Sequence, residues 1–169
     1  MAYSNNGANS IVYEAINNRD EGGLQSILEK QPDLLKSTDE NGLTPLSYAA
    51  SKGYVEMVVF LLKRFPESKK HLNKDYSYPI HKACLGGHIN VLTEFYNNSG
   101  KSIFTCDGQG RTVLHLAAKE RGNKLKEVVI YLLSLPENKQ LRLIRDENYK
   151  TPLDLAINSA NHVVEQLFN

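Results

Sequence analysis

His81, Cys84 and His88 fall within eight residues, and imidazole and thiolate side chains at such spacing can bind zinc. Gly86 and Gly87 stand between them and are expected to end a helix before His88, so the three side chains need not share a face. Ser99-Gly100-Lys101-Ser102 carries the Gly-Lys-Ser end of a phosphate loop. Phe95, however, stands where that pattern needs its first glycine, and no buried strand precedes it. No Ser/His/Asp or Cys/His set follows a strand-turn-helix context, and the carboxylates are spread rather than paired for acid/base work. Cys84 is expected to fill a small buried slot, whereas Cys106, beside a turn, is the more reactive thiol, with only Arg111 and Lys101 near enough in sequence to favour a thiolate. Lys63, Arg64, Lys69, Lys70, His71 and Lys74 form the most basic stretch, but Glu67 and Asp75 interrupt it and it reads as a solvated loop face. These residues predict no catalytic group, no cofactor, no metal and no nucleic-acid partner.

The composition fits that reading. The 169 residues suffice for one domain or one array of small units, and 41% hydrophobic with 23% charged residues is too apolar for disorder. The longest apolar runs, Met57 to Leu62 and Val128 to Leu133, are too short to span a membrane. Twenty basic against nineteen acidic residues leave a formal charge of +1, with no overall pull toward nucleic acid or anionic lipid. The polar start, Met1 to Ser10, does not resemble a secretory signal, and two cysteines are too few for a disulfide framework, so a cytoplasmic setting is expected.

What must position any functional residue is a repeat. Ala15, Ala49, Ala83, Ala117 and Ala156 step by 34, 34, 34 and 39 residues, each inside a similar stretch such as Thr44-Pro45-Leu46-Ser47-Tyr48-Ala49 or Thr151-Pro152-Leu153-Asp154-Leu155-Ala156. Thr caps a first turn and Pro suits the first helical position, so each stretch opens a helix, which Gly53, Gly87 and Gly122 then end in the interior units. A second helix follows, with apolar residues at helical spacing: Ile27 and Leu28, then Val58, Leu61 and Leu62, then Val91, Phe95 and Tyr96, then Val128, Val129, Leu132 and Leu133. Asp39-Glu40-Asn41-Gly42, Asp107-Gly108-Gln109-Gly110 and Asp146-Glu147-Asn148-Tyr149 read as projecting β-turn fingers. The longer last step places three extra residues near Arg121 to Lys124 and two in the following loop.

The Thr-Pro-Leu-x-x-Ala pattern at this spacing, with a turn before it and a second helix after a glycine, resembles the ankyrin repeat across essentially the whole chain. The resemblance implies an all-α ankyrin solenoid of about five helix-turn-helix units with β-turn fingers, at approximately 1–38, 39–72, 73–106, 107–145 and 146–169 in one domain. The first unit is degenerate and looks like an amino-terminal cap. More narrowly, Pro32-Asp33-Leu34-Leu35, Leu46 to Gly53, Tyr78 to Cys84 with Gly87-His88-Ile89, and Leu133 to Glu137 resemble the plant ankyrin membrane proteins of the accelerated-cell-death type. That family implies a role in defence or stress signalling and a parent protein anchored in a membrane with this region facing the cytosol. The alternative is a regulatory or scaffolding region of a larger channel or enzyme, such as an acyltransferase or ubiquitin ligase. By resemblance, His81 and His115 tie neighbouring repeats by a hydrogen bond, and Ser47 and Asp154 replace them elsewhere.

The activity implied is reversible protein binding, to a partner the chain does not name, along the concave strip of fingers and first helices. Carrying the family's contact positions over repeat by repeat, the second unit offers Glu40, Asn41, Leu43, Ser51 and Lys52, and the third Lys74, Asp75, Ser77 and Leu85. The fourth offers Gln109, Arg111, Lys119 and Glu120, and the fifth Glu147, Asn148, Lys150 and Asn158. Tyr76 and Tyr149 replace the glycine kept at Gly42 and Gly110, so those two fingers are expected to differ in shape and to present aromatic anchors. Val163, Val164, Leu167 and Phe168 are expected to be exposed at the carboxyl-terminal end and to provide weak self-association there.

Overall fold

The computed structural model describes residues 6–121 and 124–168. Helices come in pairs. The first members are α1 (Asn6–Asn17), α3 (Pro45–Lys52), α5 (Pro79–Gly86), α7 (Val113–Lys119) and α10 (Pro152–Asn158). Their partners are α2 (Glu21–Lys30), α4 (Val55–Arg64), α6 (Ile89–Asn98), α8 (Lys126–Ser134) and α11 (His162–Glu165), with the short α9 (Asn138–Leu141) between α8 and α10. First helices pack on first helices, and α4, α6, α8 and α11 follow one another in a second row, so the array is two layers deep.

The local chemistry explains the starts and stops. Thr44 accepts from the Ser47 N–H and Pro45 occupies the first turn, where its missing donor costs nothing. Gly53 and Gly87 end α3 and α5 with φ of 72° and 77°, a left-handed conformation that a side chain resists. A Cβ on Gly53 would also stand 2.6 Å from the His88 ring. The third expected stop, Gly122, lies outside the described residues, and α7 ends at Lys119.

The two layers enclose one continuous core in which Leu24, Leu28, Leu46, Met57, Leu61, Leu92, Leu114, Leu132 and Leu141 are fully buried. Each such side chain contributes roughly 1.5–3 kcal/mol by leaving water, which helices of seven to ten residues cannot supply alone. Cys84 fills its slot, with its thiol donating to the Val113 carbonyl at 3.2 Å.

Three expectations change. The segment Pro66–Lys70, read as a loop, is a 3-10 helix, as are Pro32–Lys36 and Gly100–Phe104, and they drive Leu34, Leu35, Ser68 and Ile103 inward. The long loop after α8 contains α9, whose Leu141 joins the core. At the carboxyl-terminal end Val164 and Phe168 are buried rather than exposed: α11 packs against α8 and α10, and Arg142 covers the Phe168 ring at 5.3 Å and donates to its carbonyl. Val163 is exposed and Leu167 half-buried.

Candidate functional site

Each finger is a tight turn held by an acidic or amide residue at its entry. Asp39 accepts from the Leu43 N–H, Asp107 from Gln109 and Arg111, and Asp146 from Asn148 and Lys150, all within 3.0 Å. Adjacent fingers are joined through their backbones: Lys74 N–H donates to the Gly42 carbonyl, Gly108 to Tyr76, and Glu147 to Gln109.

The tyrosine fingers do not differ in shape from the glycine fingers. Tyr76 and Tyr149 have φ of 57° and 59° beside 77° at Gly42 and 72° at Gly110. The entry residue and the finger-to-finger bonds dictate the turn, and the tyrosines accept the strained conformation rather than reroute the chain. Both rings are exposed, at 67% and 77%. The Tyr76 Cβ also lies against Gly108, 2.7 Å from where a Cβ would stand, so this ring does border the next finger.

The first helices connect to the fingers through two buried imidazoles. In His81, Nδ1 accepts the Tyr78 N–H at 3.0 Å, which leaves Nε2 to donate to the Thr105 carbonyl at 3.0 Å. In His115, Nδ1 accepts from Thr112 and Nε2 donates to the Lys150 carbonyl at 3.0 Å. Burial pushes both imidazoles below their ordinary value, consistent with neutral rings. His88 turns elsewhere, to the Ser51 carbonyl at 2.9 Å, so His81, Cys84 and His88 serve three separate bonds. Among the described residues no three His, Cys, Asp or Glu side chains gather as metal ligands do.

The candidate contact residues fall into two groups. Glu40, Asn41 and Lys52 converge on one polar groove of about 1070 Å³ on the finger side of α1 and α3. Lys119, Gln109, Asn148, Tyr149 and Lys150 are exposed along the remaining fingers and α7, outside that groove. Asp75 is exposed but already bonded to Lys82 at 2.5 Å and to Ser77, bonds that outweigh its burial and lower its carboxyl.

Others are occupied by the fold. Leu43 is half-buried, and its carbonyl accepts the Tyr13 hydroxyl at 2.8 Å. Glu120 is half-buried, with its carbonyl taken by Asn161 at 2.5 Å. Ser77 is buried within its finger. Arg111 makes two bonds to Asp107, at 2.9 and 2.7 Å. Burial raises the Asp107 carboxyl, but the Arg111 bonds outweigh it and hold it below the usual range. Arg111 is therefore spent on its own finger and does not activate Cys106, whose thiol is raised by burial and by the Asp107 charge.

Sequence reasoning passed over the groove's aromatic floor. Tyr13 and Tyr48 meet edge to face at 5.3 Å, the Tyr48 hydroxyl donates to Asn17 at 2.9 Å, and Lys52 lies 5.6 Å from the Tyr48 ring centre. Lys52 follows Tyr48 by four residues, one helical turn, and that spacing was the available signal. With Glu14, Glu40, Lys52 and Lys74 around that floor, the groove offers both charges, amides and a stacking surface.

Comparison with known proteins agrees with the architecture. The chain is 26% identical over 126 residues to a protein called transient receptor potential cation channel subfamily A member 1 homolog of Caenorhabditis elegans, covering 75% of this chain and 10% of that protein. It is 32% identical over 136 residues to the probable 26S proteasome regulatory subunit p28 of Saccharomyces cerevisiae, covering 79% of this chain and 57% of that one. To the Arabidopsis thaliana protein ACCELERATED CELL DEATH 6 it is 35% identical over 78 residues, 46% of this chain and 12% of the relative. The chain thus spans a tenth to little more than half of the length of these relatives. Among the described residues no helix is long and apolar enough to cross a membrane. A family model for ankyrin repeats in three copies matches residues 1–106 and 80–169, and with helix pairs, fingers and buried histidines in that register the chain belongs to the ankyrin repeat family.

Proposed function

We propose that this chain binds a protein partner reversibly along its concave strip, with Glu40, Asn41, Lys52 and Lys74 as the principal polar contacts and Tyr76, Gln109, Lys119, Asn148, Tyr149 and Lys150 extending the surface. The observation that supports this most directly is the groove of about 1070 Å³ on the finger side of α1 and α3, floored by Tyr13 and Tyr48. In this reading Asp75, Leu43, Arg111 and Glu120 act mainly by shaping the backbone of that surface. The activity is binding alone, without catalysis. We place it in the cytoplasm, in plant defence or stress signalling, on the strength of the similarity to the Arabidopsis protein.

A second reading is favoured by one observation, that the chain covers 10% of one relative and 12% of another. It makes this array a regulatory or scaffolding part of a larger channel or enzyme.

The test is capture from plant extract with quantitative mass spectrometry, comparing wild type, Glu40→Lys with Lys52→Glu, and Tyr76→Gly with Tyr149→Gly. The exposed charge variant should keep its melting within about 0.5 kcal/mol and lose a partner that the wild type retains. The glycine variant should gain about 1 kcal/mol for each relieved left-handed residue and also lose partner. Equal capture by all three would remove the binding strip from consideration and leave the fold untouched.

A further inference from the structure

The outer row of second helices changes character at α4. Glu56, Val59, Phe60 and Lys63 lie on one stripe of this helix, because seven residues make nearly two full turns. Val59 and Phe60 are half-buried, and with Val55 they line an apolar hollow of about 510 Å³ bordered by Glu21, Glu56, Lys63 and Arg64. The corresponding positions of α6 are Asn90, Thr93, Glu94 and Asn97, polar throughout. Phe60 packs in part against the core and meets Phe65 edge to face, at 6.3 Å between ring centres, and Arg64 is engaged by Glu29 at 2.5 Å. Glu56 and Lys63 are exposed and make no ion pair or side-chain hydrogen bond among the described residues.

The stripe is self-complementary. The midpoint between Glu56 and Lys63 falls between Val59 and Phe60. A second α4 laid antiparallel across a twofold axis at that midpoint brings Glu56 of each copy to Lys63 of the other. The two apolar pairs then meet each other at the axis. We propose that this face of α4 is an isologous docking surface for a second copy of the chain. It lies on the side away from the fingers, so the concave strip stays open in the dimer, and the inference does not depend on the partner-binding reading. A contact three helical turns long is below the size of a standard stable interface, so the dimer is weak and forms at high concentration.

Sedimentation equilibrium of the full chain over a concentration series reads this out. The wild type should move toward twice the monomer mass as concentration rises, and less so in high salt. E56K and K63E each set like charges against one another twice and should weaken dimerisation about tenfold. The double variant E56K/K63E restores opposite charges at both contacts and should recover the wild-type constant. An equimolar mixture of the E56K chain with the K63E chain should form a heterodimer, although neither variant pairs well with itself. Val163→Glu, at the carboxyl-terminal end, should leave the constant unchanged. These positions are exposed, and circular dichroism checks that every variant is folded. A wild type that stays monomeric throughout overturns the proposal. So do single charge variants that dimerise as the wild type does, a double variant that fails to recover, a mixture that forms no heterodimer, or loss of dimer in Val163→Glu.

Discussion

At the junction of the fourth and fifth units His115 sends its Nε2–H forward to the Lys150 carbonyl, 3.0 Å away. At the junction of the second and third units the equivalent residue is Ser47, whose hydroxyl reaches only Thr44 of its own helix, at 2.9 Å. There the tie runs backward: the Asn73 amide oxygen, on the next finger, accepts the Thr44 N–H at 2.9 Å. The difference shows that a repeat junction needs one long polar side chain, and that either partner can provide it. It has a local cost. Asp39, Asp107 and Asp146 hold their own fingers, whereas Asn73 has turned its acceptor outward. Asp75 takes over, accepting from the Ser77 N–H and hydroxyl at 3.2 and 2.6 Å.

The comparison can be broken most severely at the forward tie. His115→Ala leaves the buried Thr112 N–H without a partner, reduces the Lys150 carbonyl to its one bond from the Asp146 N–H and opens a cavity, so it should cost about 3 kcal/mol in urea unfolding. Asn73→Ala strands the buried Thr44 N–H and removes the bonds that the Asn73 amide donates to the Ser77 carbonyl and hydroxyl, and should cost about 2 kcal/mol. Asn73→Asp, which keeps the oxygen, should recover part of it. Equal losses at the two sites, or none at Asn73, would mean that the backward bond is incidental.

The smallest effect separates the two kinds of tie by acid. Burial lowers His81 and His115 in the folded chain below the ordinary 6.5, so below that pH the unfolded chain takes up protons that the folded one refuses. Their contribution is complete above pH 6.5 and declines as pH falls through and below it. Asp75, Asp107 and Asp154, lowered from 3.8, contribute only to losses at still lower pH. A variant carrying His81→Gln and His115→Gln should therefore show a flatter stability profile just below pH 6.5 than the wild type. A slope unchanged by the double substitution would place the proton uptake elsewhere.

The helix openings, the period and the glycine stops were legible in the sequence because each depends on residues a few positions apart. Thr44 with Pro45, or Gly53 after Lys52, dictates its own backbone. What was not legible depends on partners far along the chain. Arg19 and Ala160 stand at the positions of Gly53 and Gly87 yet adopt φ of 54°, closed by the same helix-end backbone bonds, and Tyr76 and Tyr149 adopt 57° and 59° at the fingers, so the residue type there does not reveal the turn. Of the expected contact residues, Glu40, Asn41 and Lys52 share a groove. Arg111 is paired with Asp107, a carboxylate four residues earlier in the same turn, and that spacing is visible in the sequence. The aromatic floor of Tyr13 and Tyr48 brings together residues 35 positions apart, which no local pattern announces.

The backbone bonds that string the fingers together slip once. Gly42 and Tyr76 occupy equivalent positions and accept from equivalent donors, Lys74 and Gly108. Glu147, the next donor in the series, bonds to Gln109, one residue short of Gly110. An extended ligand reading the same position on every finger would keep step across the second, third and fourth units and fall out of phase at the fifth. The chain is in effect a ruler with its last graduation displaced, and a partner that spans the full length must bend or loop at that mark.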